Sequence, residues 1–119
     1  MTPRVTIRID FSPQQQLGHG KVKLLEMIDT HGSISSAARA LGMSYRRAWL
    51  LMDEVNSMFE MSVLETQLGG KGGGHARLTE FGHKLVALYR EMERDTSRRF
   101  SDEIADLTAK LRPLPVESD

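Results

Sequence analysis

The stretch SISSAARALGMSYRRAWLLMDEVN, residues 33–56, decides the fold of this chain. Its pattern predicts a short helix, a tight turn at Gly42 and a second helix that begins after Ser44. A serine side-chain oxygen accepts hydrogen bonds from the unpaired N–H groups at a helix start, and Ser33 or Ser35 can do so for the first helix. Gly42 suits a helix end that needs a positive φ. The stretch therefore predicts two short helices joined by a glycine turn.

The second predicted helix has two different faces. Its apolar residues recur at helical spacing and predict a buried stripe of Ala48, Leu51, Met52, Val55 and Phe59. Arg46, Arg47 and Leu50 fall largely on the other side. Trp49, the only tryptophan, is expected in the core because large aromatic side chains are mostly buried. Tyr45 lies in the first turn, within reach of a phosphate or a thymine methyl group.

The start of this second helix indicates DNA binding. A short helix packed on one that opens with hydroxyl and guanidinium groups is a common way to place a helix in the DNA major groove. Ser44, Tyr45, Arg46 and Arg47 supply those groups. The alternative is an ordinary helical hairpin in an all-α domain, because short helix-turn-helix patterns also arise by chance.

Length and composition predict one globular domain. The chain has 119 residues, of which 39% are hydrophobic and 27% charged. It contains no cysteine, which excludes disulfides and thiolate metal sites. The sequence contains neither an apolar run long enough to span a bilayer nor the apolar core of a signal peptide. A cytoplasmic location is therefore the default expectation.

The distribution of charge matters more than its sum. Sixteen basic and 16 acidic side chains give a net charge of zero, whereas DNA-binding domains are usually basic. Residues 33–52 nevertheless carry three arginines and no acid, and residues 66–78 carry Lys71, His75 and Arg77 and no acid. Salt screens charges beyond about 8–10 Å, so these two local basic regions remain compatible with DNA.

Residues 62–67 and 75–78 predict two short strands joined by the glycine-rich loop LGGKGGG. Beside a helix-turn-helix, such a hairpin is a wing whose Lys71 and backbone amides contact DNA phosphates; a plain hairpin loop is the alternative. The many glycines predict a tip that is mobile without DNA. A nucleotide phosphate loop is excluded because Lys71 is not followed by Ser or Thr at a helix start.

Catalytic and metal chemistry find no support in the sequence. His75 and His83 have no third ligand near them, and zinc sites usually need three or four. Neither a Ser/His/Asp arrangement nor a pair of catalytic carboxylates stands out. We expect a protein that is not an enzyme and that has neither a metal nor another cofactor.

The chain before residue 33 predicts a strand, a loop and a helix. Val5, Ile7, Ile9 and Phe11 alternate with polar residues, as in a half-buried strand. Residues 12–20 are expected to form a loop. A helix over residues 20–30 follows, with Val22, Leu25 (or Leu24) and Ile28 on its core face.

Thr79 is expected to cap a long C-terminal helix. Its stripe consists of Phe81, Leu85, Leu88, Met92, Thr96, Phe100, Ile104, Leu107 and Leu111. The middle, Glu93–Arg99, is almost bare of apolar groups, so either one helix crosses a gap between two contacts or the helix breaks there. The outer face needs a partner, and a second copy of the chain is the simplest one. In the alternative, the tail folds back onto its own domain.

These elements predict one compact unit. Residues 1–78 form the DNA-binding part and residues 79–112 the dimerisation helix. Residues 113–119 are expected to be a disordered tail.

The segments GSISSAARALGMSYRRAWLLMDEVN and LGGKGGGHARLTEFG resemble the N-terminal DNA-binding domain of the molybdate-responsive ModE transcriptional regulators, which is close to the winged helix-turn-helix of LysR-type regulators. The resemblance covers roughly residues 7–89. It implies an α+β, mostly helical, winged helix-turn-helix with an N-terminal strand, a two-stranded wing and a long dimerisation helix. It also implies a homodimer on a two-fold symmetric operator.

The residues expected to bind DNA are Ser33, Ser35, Ser44, Tyr45, Arg46, Arg47, Lys71, His75 and Arg77. Those expected to form the dimer are Phe81, Leu85, Leu88, Met92, Ile104, Leu107 and Leu111. ModE regulators also carry a C-terminal molybdate-binding portion of small β-barrels, for which a sequence ending at Asp119 has no room, so molybdate binding has no support here. Alternatives to a DNA-binding regulator are an oxyanion sensor that uses the basic wing and a winged-helix module that binds protein.

Overall fold

The fold is α+β and mostly helical, as predicted. A computed structural model describes residues 2–67 and 74–115. The elements, in chain order, are β1 (Arg8–Ser12), β2 (Gln15–Gly18), α1 (His19–His31), α2 (Ile34–Ala40), α3 (Tyr45–Met58), β3 (Leu64–Gln67), β4 (His75–Leu78), α4 (Glu80–Arg99) and α5 (Ser101–Ala109). The strands form two separate antiparallel pairs, β1–β2 and β3–β4. This combination is consistent with a winged helix.

Helices α1, α2 and α3 surround the main core. Ala37 and Ala38 are buried on α2, and their small side chains allow the neighbouring helices to approach closely. Leu24 and Leu25 on α1 are both fully buried, so both alternatives for that face are correct. Gly42, with φ of 68°, ends the turn between α2 and α3 as predicted.

The predicted helix caps are present. The Ser33 side chain caps α2 by accepting a hydrogen bond from the Ser36 N–H at 3.0 Å, which selects Ser33 over Ser35. In the same way, the Ser44 side chain accepts from the Arg47 N–H at 3.1 Å and caps α3. Local capping chemistry therefore defines both ends of the turn that joins the two helices.

The N-terminal region differs from the prediction. Residues 15–18, expected in a loop, form strand β2, which pairs with β1 so that Ile9 lies opposite Leu17. Leu17 is fully buried, whereas Phe11 is 52% exposed and touches the edge of Phe59. The predicted single strand was incomplete because a strand needs a hydrogen-bonding partner, and here the following residues supply it.

Helix α4 is turned relative to the predicted stripe. Its most buried residues are Gly82, Tyr89 and Glu93, while Leu88 is 54% exposed. The Tyr89 hydroxyl donates a hydrogen bond to the Ile7 carbonyl oxygen at 2.7 Å, which ties α4 to the chain entering β1. Phe81 and Leu85, expected at a dimer interface, pack against the protein's own core.

An ion cluster joins α4 to α1. Arg90 donates from Nε to Glu26 Oε2 at 3.1 Å and from Nη1 to Glu93 Oε1 at 2.6 Å. The hydrogen bonds from Arg90 hold the pKa of Glu26 below its ordinary value. Burial, together with the nearby charges of Arg4 and Arg90, lowers the pKa of His19. Apolar periodicity cannot reveal such a contact, because its members are charged.

Helix α4 is continuous through Glu93–Arg99 and ends at Arg99, and Phe100 separates it from α5, which begins at Ser101. Phe100, Leu107 and Leu111 are 44%, 65% and 72% exposed. Residues 113–115 form no regular element, and the rest of the predicted tail, residues 116–119, lies outside the described residues. No described helix is both long and apolar enough to cross a membrane.

Four residues form a contact that we call the Val63 junction: Asn56, Val63, Thr79 and Gly82. The Val63 N–H donates to Asn56 Oδ1 at 2.7 Å, and the Val63 carbonyl oxygen accepts from the Thr79 N–H at 3.0 Å. Thr79 Oγ1 accepts from the Gly82 N–H at 3.0 Å and so caps α4. The junction thus connects the last part of α3, the start of β3 and the start of α4.

Gly82→Ala is expected to destabilise the protein by about 1–3 kcal/mol, because overpacking a tight contact forces backbone shifts. A Cβ at position 82 would overlap the Val63 carbonyl oxygen. The measurement is the free energy of unfolding in urea. The control is Gly20→Ala in α1, where a Cβ meets nothing within 4 Å and no loss is expected. Equal stability of the two variants would contradict the close approach of α4 to Val63.

Candidate nucleic-acid interface

Helix α3 presents a broad exposed face beside its buried stripe. Ala48, Met52 and Val55 are buried as predicted, and Arg46 and Arg47 are exposed. The prediction for Trp49 was wrong, because the indole is 45% exposed rather than in the core. Each helical residue turns about 100° from the one before it, so the burial of Ala48 directs Trp49 away from the core.

A cleft of about 80 Å³ lies between α3 and the β3–β4 hairpin, and we call it the helix–hairpin cleft. It is lined by Ser33, Ile34, Ser35, Tyr45, Trp49, Thr66, Gln67, Gly74, His75 and Ala76. Four of the predicted DNA-binding residues therefore come together here from three elements. The sequence analysis placed Thr66 and Gln67 in the hairpin but missed them as residues of this site, because nothing in their residue types indicates binding.

A more open groove follows the other flank of α3. It is lined by Ser44, Arg46, Arg47, Leu50, Leu51 and Glu54. This groove collects the other predicted groups of the helix start, the two guanidinium groups included. Glu54 at its far end pairs with Lys21 Nζ at 3.3 Å, so its carboxylate has a cation of its own.

The β3–β4 hairpin places its basic residues on the face turned away from the core. Along β4, Ala76 and Leu78 are buried, whereas His75 and Arg77 are exposed. Arg77 lies opposite Glu65, and its Nε is 3.1 Å from Glu65 Oε2. The predicted acid-free segment began one residue after Glu65, which is why sequence reasoning missed this pair.

Arg77 lines two grooves, neither of which includes an arginine of α3. It shares the first with Gln67, His75 and Ala76, and the second with Asp29, Glu80 and His83 on the side of the hairpin toward α4. Lys71, the other predicted cation of the hairpin, lies outside the described residues. The structure therefore brings Ser33, Ser35, Tyr45 and His75 together in the helix–hairpin cleft, and Arg77 lines a neighbouring groove with His75.

Hydrogen bonds to the end of α1 and to α3 hold the hairpin in place. The Ala76 N–H donates to the Gly32 carbonyl oxygen at 2.9 Å, which ties β4 to the end of α1. Asn56 Oδ1 accepts from the Val63 and Leu64 N–H groups at 2.7 and 3.2 Å, which ties β3 to α3. The cleft is therefore bounded by elements that are hydrogen-bonded to one another.

Metal ligands do not gather at this surface. Within residues 2–67 and 74–115, no three His, Asp or Glu side chains form a group that could hold a metal ion. His83 instead lies 3.7 Å from Asp29 Oδ1, on the α4 side of the hairpin.

Comparison with known proteins shows that the chain is similar to part of the ModE transcriptional regulators. It is 38% identical over 98 residues to the DNA-binding transcriptional dual regulator ModE of Escherichia coli, and 36% identical over 98 residues to the transcriptional regulator ModE of Yersinia pestis. Both alignments cover 82% of this chain. It is also 43% identical over 72 residues, 60% of the chain, to the molybdenum-pterin-binding protein MopA of Rhodobacter capsulatus.

These relatives confirm the predicted resemblance to ModE regulators. The alignments cover 36%, 35% and 27% of the three relatives' own lengths, so the chain spans about a third of the curated proteins that it matches. No family model matches the chain. Two of these relatives are named as transcriptional regulators.

Asn56→Ala is expected to lower the free energy of unfolding by about 1–3 kcal/mol, because it leaves the Val63 and Leu64 N–H groups without their acceptor. Urea unfolding measures the loss, and hydrogen exchange should show faster exchange of those two amides. Asn56→Asp keeps an acceptor oxygen and serves as the control. Unchanged exchange at both amides in Asn56→Ala would show that Asn56 does not hold β3.

Proposed function

We propose that this protein is a sequence-specific DNA-binding transcriptional regulator, equivalent to the DNA-binding part of the ModE regulators. The observation that carries the proposal is the exposed start of α3. It presents Tyr45, Arg46 and Arg47 in a stretch, residues 33–52, that contains no acid. Guanidinium groups bind both phosphates and guanine edges, and a positive surface attracts the DNA backbone.

In this proposal α3 enters the major groove and the β3–β4 hairpin is the wing. Arg46, in the first turn of α3, reads base edges, since it lies near the middle of the exposed face. Ser33, Ser35 and His75, which line the helix–hairpin cleft, contact the phosphate backbone beside the groove. Lys71 would contact phosphates from the loop between the strands.

The paired Arg77 has a weaker claim to a DNA contact. Its ion pair with Glu65 neutralises much of its charge, and both side chains are more than half exposed. Reaching a phosphate would require Arg77 to leave Glu65. Exposed ion pairs are worth about 0–1 kcal/mol, so this exchange is energetically feasible.

The functional unit in this proposal is a homodimer on a two-fold symmetric operator. Leu88 on α4 and Phe100, Leu107 and Leu111 around α5 leave large apolar groups in contact with water. Burying them against a second copy would remove that cost. The two recognition helices would then lie about 34 Å apart, one turn of DNA.

An oxyanion-responsive sensor is a second candidate, because relatives named molybdenum-pterin-binding proteins match this chain. The pairing of Arg77 with Glu65 weakens the basic hairpin as a site for such an anion. Calorimetric titration with molybdate, tungstate and sulfate distinguishes this candidate from a regulator that needs no anion.

Selection of binding sites from a random DNA pool should recover a two-fold symmetric sequence. Arg46→Ala is then expected to weaken binding to that sequence by about 1–3 kcal/mol and to relax preference at one base pair. The control is Arg98→Ala on α4, whose guanidinium is exposed and pairs with Asp95 at 2.7 Å. Failure of the pool to enrich any sequence, at low or moderate salt, would refute sequence-specific binding.

Leu107→Asp is expected to convert a dimer to a monomer, because it places a charge within the proposed apolar interface. Sedimentation equilibrium of the full chain, without DNA, measures the change. Leu114→Asp is the control, since Leu114 is 89% exposed and lies beyond α5. A wild-type chain that remains monomeric at high micromolar concentration would contradict self-association.

A further inference from the structure

We propose that Trp49 is a base-reading residue whose indole contacts thymine methyl groups in the major groove. This inference rests on the proposed function and adds to it the class of base that α3 selects. The starting observation is the 45% exposure of Trp49, a large aromatic residue of the kind that is mostly buried.

The position of Trp49 on α3 fits a reading role. It lies one turn after Tyr45 and lines the helix–hairpin cleft with it. Arg46 lies on the adjoining part of the same exposed face. Four residues of an α-helix span about 6 Å, close to the rise of two base pairs of DNA. Tyr45 and Trp49 can therefore meet neighbouring steps of one groove.

The exposed apolar surface of α3 is concentrated at this place. Tyr45, Trp49 and Leu50 are 53%, 45% and 49% exposed, and all three lie within the first six residues of the helix. Large apolar side chains that are grouped on a surface indicate a site that contacts a partner, since the fold does not need them there. The three arginines of residues 33–52 make nucleic acid the partner that fits the local charge.

Thymine offers the matching chemistry. It is the only DNA base that presents a methyl group in the major groove, and apolar side chains recognise it there by contact. Arg46 beside this surface can donate two hydrogen bonds to guanine O6 and N7. The start of α3 therefore combines an apolar reader for thymine with a charged reader for guanine.

The test uses the operator recovered by selection and removes one thymine methyl at a time by replacing thymine with deoxyuridine. For the wild-type chain, one position in each half-site is expected to weaken binding about fourfold, the value of one buried methyl group. Trp49→Ala should bind less tightly and should lose this sensitivity to the methyl group. Met61→Ala, which shortens a side chain that is 61% exposed outside α3, should retain it.

A second measurement uses the wild-type chain alone, so that it does not depend on the folding of a variant. Trp49 is the only tryptophan, and its fluorescence reports on its own surroundings. Its emission should change when the operator binds, and the deoxyuridine operator should reduce that change at the same position that weakens binding.

Two outcomes would overturn the inference while leaving DNA binding intact. Trp49→Ala could weaken binding to all sequences equally and keep the methyl sensitivity, which would place the indole against the sugar-phosphate backbone. Alternatively, no thymine position could alter both affinity and fluorescence. If the pool enriches no sequence, the proposed function itself fails, and this inference fails with it.

Discussion

The Val63 junction is the contact on which the rest of the structure depends. Val63 donates its N–H to the Asn56 side chain and accepts at its carbonyl oxygen from Thr79, so neither backbone group is left unpaired. Its side chain is fully buried in the core. Gly82 allows α4 to approach the same carbonyl closely. Val63, the residue before β3, thereby contacts α3 and the start of α4.

This arrangement connects the helix–hairpin cleft to the start of α4. Strand β3 begins beside Val63 and continues to Thr66 and Gln67, which line the helix–hairpin cleft. Helix α4 begins on the other side of the junction and is held further along by Tyr89 and by Arg90. The hairpin and the start of α4 therefore share the hydrogen-bonded contact at Val63. The position of the hairpin relative to α3 and the direction of α4 are therefore linked.

Which basic side chains are paired with acids matters more for this protein than its net charge. The chain is neutral overall, yet Arg46 and Arg47 lie on a helix start that has no acid near it in sequence. Arg90 and Arg77, by contrast, are paired with glutamates in the described structure. A neutral chain can therefore present a local cationic surface, because some of its acids pair with cations elsewhere.

Sequence alone was sufficient for the parts that local chemistry decides. Periodicity and side chains that act within a few residues predict helices α1 to α3, the Ser44 cap, a cap at Ser33 or Ser35, the turn at Gly42 and strands β3 and β4. The continuity of α4 through Glu93–Arg99 could not be predicted from the sequence, because apolar spacing alone was equally compatible with a break in the helix there.

Tertiary contacts decided the rest, because each depends on a partner that is distant in sequence. The inward face of α4 is determined by Gly82 against Val63 and by Arg90 with Glu26. The exposure of Trp49 follows from the packing of Ala48, and the pairing of Arg77 follows from its register with Glu65. Periodicity predicts that a helix has an apolar face, but only packing determines which side chains that face buries and which it leaves available for binding.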